Sequence, residues 1–455
     1  MSAMSRPRIV VVGAGFAGVS CLRRLERRIP RGSAELVLVT PQDYQLYQPL
    51  LPQVASGLVT PQSISISLHR LLGQTRMVPG VAIGVDPDAR SLLVRTISGE
   101  LTTEHYDRLV LAPGSQTRQF PIPGLSEHAV GNKTLAEAVY LRDHVLAQLE
   151  LANASHDPAE REERCRFVVV GGSYTGVETA ASLQLLCEEG MRRYPQLREN
   201  VDWHLIDVAE RLMPELGQNL GEDALNLLRS RGIRVTLGTS VREVTADKVT
   251  LTDGRVLPCR TLIWAAGTQP HPLMAATGLS TQQDKLTVGP DLATPSHPEI
   301  FGIGDSAAVP DLSTGDGAVC PPTAQAANQQ GPVAADNVIA SLLGRSRREF
   351  EYRDRGLLVD LSGRDALAKP FGVELTGAPA LGLTRAYHLY SMPSGPARAR
   401  VVANWGIRAT LGGEVSRMGF MSPARPEVGV GEHAECLDVE QTREQIGLLS
   451  GNTTG

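Results

Sequence analysis

The stretch Val10-Val-Val-Gly-Ala-Gly-Phe-Ala-Gly18 decides the fold of this chain. A run of β-branched residues enters three glycines spaced G-x-G-x-x-G, and an amphipathic pattern follows. Such a run favours a pleated strand, so the stretch reads as strand, tight turn, helix. In that setting Gly13 makes the turn, Gly15 lets the backbone approach a pyrophosphate, and Gly18 lets helix and strand pack closely. Phe16 and Ala17, inside the motif, count with the same site. The helix start then stabilises phosphate charge with its unpaired N–H groups and dipole.

A second stretch, Val168-Val-Val-Gly-Gly-Ser-Tyr-Thr-Gly176, resembles the first. A further pair also matches: Leu109-Val-Leu-Ala-Pro-Gly-Ser115 and Leu262-Ile-Trp-Ala-Ala-Gly-Thr268. Both pairs repeat at a spacing of roughly 155 residues, which points to a duplicated nucleotide-binding unit. Ala112, Gly114, Ala266 and Gly267 join the candidate site on this basis. The expected fold class is α/β: two nested Rossmann-like dinucleotide-binding domains plus a C-terminal α+β segment. Residues 1–125 and 291–345 are assigned to the first unit, and 126–290 to the second with a linker helix. Residues 346–421 form a C-terminal module facing a membrane or a dimer partner, and 422–455 a weakly ordered tail. One last helix is expected over about Leu383 to Met421.

The two turns differ in a way that bears on ligand choice. The strand after the first turn, Leu36-Val-Leu-Val39, ends in Thr40 where an acid would hold a ribose hydroxyl. Thr40 can still hydrogen-bond a ribose, more weakly than a carboxylate would. A nucleotide held by many other contacts, such as a permanently bound FAD, fits that substitution. The second turn has Ser173 where the middle glycine belongs, between Gly171 and Gly176. Its following strand, His204-Leu-Ile-Asp207, does end in an acid, which suits the free 2′-hydroxyl of NADH and repels the 2′-phosphate of NADPH.

Composition removes other classes. The net charge of −5 lacks the basic excess of a nucleic-acid binder, so no nucleic-acid partner is expected. The six cysteines show no C-x-x-C spacing, which argues against a zinc knuckle or dithiol motif. No metal-ligand cluster is apparent. The first strand begins almost at once, leaving no room for a signal peptide, and no run of about 18 apolar residues spans a bilayer. A cytoplasmic chain is expected, peripheral on the inner face of the cell membrane if it meets a bilayer.

Several local strings carry a family resemblance. Tyr47-Gln-Pro-Leu-Leu-Pro-Gln-Val-Ala-Ser-Gly57, Gly176-Val-Glu178, Gly302-Ile-Gly-Asp305, Ala324-Gln-Ala-Ala-Asn-Gln-Gln-Gly331 and Asn404-Trp405 resemble segments of the type II NADH:quinone oxidoreductases. The resemblance covers the chain to about residue 421. It implies a non-covalent FAD, NADH as co-substrate and a quinone as acceptor. By that likeness Gly304 and Asp305 hold the flavin's ribityl or phosphate region, and Gln48 and Lys133 lie close to the flavin. Gln325 and Gln329 lie against the isoalloxazine and the quinone head, and Glu178 near the nicotinamide. Gln325 and Gln329 are four apart and share a helical face, and amides both donate and accept. A solvated polar face accounts for the same spacing, and a helix-start acid accounts for Glu178.

A quinone is lipid-soluble, so contact with a bilayer is expected through residues 383–421. Arg385, Arg398, Arg400, Arg408 and Arg417 interleave there with Tyr387, Tyr390, Trp405 and Phe420. A dimer contact would use the same segment. Three other functions stay open: a sulfide:quinone oxidoreductase, for which Cys320 lacks a clear partner, an FAD-dependent dehydrogenase or oxidase acting on a soluble metabolite, and a non-catalytic nucleotide-binding redox sensor.

Overall fold

Ile9, Val10 and Val11 are fully buried at the centre of a seven-stranded sheet. The structure is a computed structural model describing residues 6–315, 317–419 and 435–451. The sheet runs in the order Ile300–Gly302, Arg108–Leu111, Arg8–Val12, Glu35–Thr40, Thr75–Asp86, Ser91–Thr96, Leu101–His105. The first five strands are parallel and the last two return antiparallel. Central parallel strands are covered on both faces, which is why they read as unbroken apolar runs.

The second unit repeats the plan. Its five strands, all parallel, are ordered Ala129–Val130, Thr261–Trp264, Arg166–Val170, Asp202–Ile206, Ile233–Thr236. The two matched A-x-G segments meet: Ser115–Thr117 pairs antiparallel with Thr268–Pro270, Gln116 opposite Gln269. Thus the ends of both repeated strands form one ribbon joining the units. The expected fold class is borne out.

Helix Ala324–Leu342 packs on helix Phe16–Arg28. A methyl at Gly331 would lie 2.0 Å from Ser20 Oγ and 2.6 Å from the Ala17 carbonyl, so this glycine sets how closely the helices cross. Arg24 pairs bidentately with Asp336 across the same contact, at 2.9 and 3.0 Å.

The C-terminal module departs from expectation in three places. The helix expected over 383–421 is two, Gly377–Ser391 and Gly395–Leu411, because Pro393 and Pro396 cannot continue the first. Phe420 and Met421 lie outside the described residues. The expected weak tail contains a helix, Val439–Gly451, seated on the strand Thr75–Asp86. Arg443 binds Asp86 through two hydrogen bonds, at 2.6 and 2.9 Å, and Thr442 fills the space that the missing side chain of Gly84 leaves. Proline and glycine dilute the sequence before this helix and conceal it. Third, Trp405 faces inward and is only 8% exposed.

The helix Gly377–Ser391 carries one buried histidine against the first unit. His388 Nδ1 lies 3.3 Å from the Tyr47 hydroxyl, and their rings meet edge-on. Burial lowers His388 from 6.5 to about 4 and raises the Tyr47 phenol. Between those two pH values the unfolded chain binds a proton that the native chain refuses. Stability present above pH 6.5 is therefore lost as pH falls towards 4, by about 3 kcal/mol for this one group. Melting curves of the protein and of His388→Phe should diverge over that window, and parallel curves would refute the assignment.

Candidate functional site

Two helix starts frame the site. Gly13 has φ +98°, donates its N–H to Val39 at 2.9 Å, and would place a methyl 2.3 Å from the Ala112 carbonyl. A methyl at Gly18 would lie 2.0 Å from the Gly13 carbonyl. Gly15, the N-cap, faces open space, as does Gly114 on the adjoining loop. The outer glycines are therefore required by packing, and the middle one leaves a cradle that a pyrophosphate fits. The Phe16 ring is turned into the core against Tyr47, centroids 5.7 Å apart, which leaves only its backbone available to a ligand. Ala17 is buried beneath Gly304.

The second turn has the same construction. A methyl at Gly171 would meet Ala265 at 2.7 Å, and one at Gly176 the Gly171 carbonyl at 1.8 Å. Ser173 is the exposed N-cap of helix Tyr174–Gly190 and makes no side-chain capping bond. Asp207 accepts from Gly172 N–H and, at 2.6 Å, from Ala209 N–H, so its carboxylate is fixed beside the turn. Thr40 behaves otherwise. It is buried, and its hydroxyl donates to the Gln42 carbonyl at 3.2 Å.

Between the two turns runs a polar chain. Lys133 Nζ donates to Ser115 Oγ at 3.1 Å, and Ser115 Oγ to Asp305 at 3.0 Å. Gln48 donates to the Lys133 carbonyl at 3.2 Å. Gln48, Lys133 and Asp305, singled out at three separate points of the sequence, thus converge here. Sequence reasoning missed Ser115 as a link, although it follows the A-P-G turn. It also missed Gln330, which is buried and accepts the Gly304 N–H at 2.6 Å, fixing the loop that presents Asp305. Ala266 and Gly267, at φ +76° for the glycine, sit at the start of the ribbon beside Phe120.

Gln325 and Gln329 share a face, but their amides are spent on one backbone segment. Gln325 accepts from Arg355 N–H at 2.8 Å, and Gln329 donates to the Arg353 carbonyl and accepts its N–H, at 2.9 and 3.1 Å. The glutamines fasten residues 353–356 to the helix. Glu178 accepts the Asp360 N–H at 2.9 Å. Desolvation, and then the Asp360 carboxylate, hold its carboxyl well above the usual range. Cys320 is buried and free, and desolvation pushes its thiol up to about 11, which leaves it a poor nucleophile.

The arginines expected to form a basic face are largely engaged within the protein. Arg385 stacks over Trp405 at 5.0 Å, Arg398 donates to the Met392 carbonyl, Arg408 pairs with Glu189 and Arg417 with Glu150. Arg400 is exposed. A cavity of about 840 Å³ opens at the far end of the first sheet, lined by Arg8, Glu35 and Arg76. It lies at the strand starts, away from both glycine turns, and ligands of such sheets bind at the strand ends.

Comparison with known proteins agrees with this geometry. The family model for pyridine nucleotide-disulphide oxidoreductases matches residues 7–331. The type II NADH:quinone oxidoreductase NdhA of Mycobacterium tuberculosis is 30% identical over 88% of this chain and 87% of its own. The demethylphylloquinone reductase NdbB of Synechocystis is 30% identical over 88% of this chain and 96% of its own. The structure of NDH2 from Plasmodium falciparum in complex with NADH has a TM-score of 0.84 at 19% identity, covering 90% of this chain and all of that one. A doubled glycine-turn architecture, matched along nearly its whole length, places this chain in the pyridine nucleotide-disulphide oxidoreductase family and, within it, among the type II NADH:quinone oxidoreductases.

Proposed function

We propose that the protein is an FAD-dependent NADH dehydrogenase that delivers electrons to a quinone. The observation that carries this reading is the polar chain Lys133–Ser115–Asp305 lying between two helix-start cradles, one open at Gly15 and one guarded by Ser173 and Asp207. Bound FAD supplies hydride acceptance from NADH and two-electron transfer to the quinone. The chain's own residues bind and orient. Gly13 to Gly18 and Asp305 hold the flavin nucleotide, and Lys133 and Gln48 border it. Gly171 to Gly176 and Asp207 hold NADH. Gln325 and Gln329 serve the acceptor end by fixing residues 353–356, and Glu178 is the acid whose surroundings favour its protonated form.

Ser173→Gly is expected to tighten NADH a few-fold, because it removes the side chain from the closest approach of the pyrophosphate. A binding titration checks this, and an unchanged affinity would mean that the pyrophosphate passes elsewhere.

The acceptor end reaches a membrane through the C-terminal helices. Among the described residues no helix is long and apolar enough to cross one, and the contact proposed is a peripheral one. Phe371, Val373, Tyr390, Val402, Ile407 and Leu411 are all exposed on this module. These apolar side chains, rather than the engaged arginines, are the contact. Burying them in a second copy is the competing use.

Steady-state NADH oxidation with a menaquinone analogue and with a soluble acceptor tests the acceptor class. Fast turnover with the quinone alone supports the proposal, and turnover with the soluble acceptor alone would replace it. Flotation with anionic vesicles, beside sedimentation without them, separates membrane from homodimer.

A further inference from the structure

The reaction proposed above consumes a proton. NADH and a quinone become NAD and a quinol: one C–H bond of the dihydronicotinamide breaks, two electrons pass to the quinone, and two O–H bonds form. NADH supplies one of the two hydrogens and water must ultimately supply the other. A carboxyl whose surroundings favour the protonated form is a suitable last donor, and desolvation raises the proton affinity of Glu178 in this way.

Those surroundings include a second acid that no sequence motif marks. Asp360 ends the strand Leu357–Asp360, is buried, and binds Glu178 through its own backbone N–H at 2.9 Å. Its carboxylate accepts Ser362 N–H at 2.8 Å on one oxygen and the Gln53 amide at 2.8 Å on the other. Gln53 is itself buried, and its carbonyl accepts the Trp405 indole N–H at 2.9 Å. An indole only donates and a carboxylate only accepts, so the Gln53 amide has one satisfactory orientation, with its NH₂ towards Asp360.

This arrangement divides the roles of the two acids. Asp360 collects two N–H donors and faces the guanidinium groups of Arg385 and Arg231, from two different helix segments. Among the described residues Glu178 has one backbone donor and the Tyr174 phenol one turn earlier in its helix. Where two adjacent acids compete to ionise, the one with more hydrogen-bond donors and nearby cations does so first. That one is Asp360.

We propose that Asp360 is a positioning residue for Glu178, a second carboxylate that keeps the Glu178 proton in reserve for quinol formation and is itself set by Gln53 and Trp405. The C-terminal helix Gly395–Leu411, which carries Trp405, is thereby coupled to the acid beside the second nucleotide turn. The proposal rests on the functional reading above for its purpose, but its physical content is the coupling between the two acids.

The test is an infrared pH titration of the carboxyl bands in the oxidised, flavin-containing protein, without NADH or quinone. Glu178→Gln identifies the Glu178 band by its loss. In Asp360→Asn the Glu178 midpoint should fall by about one pH unit, a tenfold change in proton affinity. With Glu178 keeping its proton while Asp360 titrates, Glu178→Gln should leave the Asp360 midpoint in place, whereas Gln53→Leu, which removes a donor to the Asp360 carboxylate, should raise it. The Gln53→Leu measurement decides the matter if Asp360→Asn fails to fold. Midpoints that move in neither Asp360→Asn nor Gln53→Leu would overturn the proposal and leave Asp360 a packing residue. Moved midpoints with no quinone turnover would retain the coupling and sink only the functional reading.

Discussion

Gly18→Ala is expected to yield protein that carries no flavin. The added methyl would lie 2.0 Å from the Gly13 carbonyl, and that oxygen belongs to backbone fixed on both sides. Gly13 N–H is bonded to Val39, and a shift of the turn drives it into Ala112. Relief requires the helix Phe16–Arg28 to move away from the sheet, which also disturbs its packing on Ala324–Leu342. The cost should exceed the roughly 1–3 kcal/mol usual for overpacking, because no flexible side chain absorbs it. Flavin released on denaturation, measured per mole of protein, checks the expectation. Full flavin content in Gly18→Ala would show that the first turn does not hold the cofactor.

The second large effect is expected at Glu178. Glu178→Gln keeps the shape and the bond from Asp360 N–H but cannot give up a proton. Quinone-dependent turnover should fall by about a hundredfold, the lower end of what a positioned acid contributes. Reduction of the flavin by NADH should change little, since hydride transfer needs no proton from this residue. Separate rapid-mixing measurements of the two half-reactions distinguish the outcomes. Equal loss in both would make Glu178 a structural acid at a helix start.

Much of this architecture is written locally in the chain. The strand–turn–helix units at Gly13 and Gly171 are legible because each glycine answers a short-range steric demand from residues nearby or from the matched A-x-G loop. The convergence of Gln48, Lys133 and Asp305 was reached only through family likeness, since nothing local links positions 48, 133 and 305. Asp360 and Gln53 were illegible. Their importance arises from burial and from partners more than 300 residues apart, Gln53 with Asp360 and with Trp405. Two of the three C-terminal departures come from contacts that local sequence does not report. Periodicity reports which residues are apolar, not whether they face solvent or protein. Trp405 and four of the five arginines therefore looked like a membrane face although they are largely occupied within the molecule. The helix Val439–Gly451 escaped notice because its anchor is the Asp86–Arg443 pair, again distant in sequence.

One bound flavin takes electrons from NADH and gives them to a quinone. The most direct measurement follows the flavin spectrum of the purified protein under anaerobic conditions through two additions. NADH should bleach the flavin rapidly, and a menaquinone analogue should then restore its colour within the turnover time of the steady-state reaction. A flavin that NADH cannot reduce, or a reduced flavin that the quinone leaves bleached, would contradict the account.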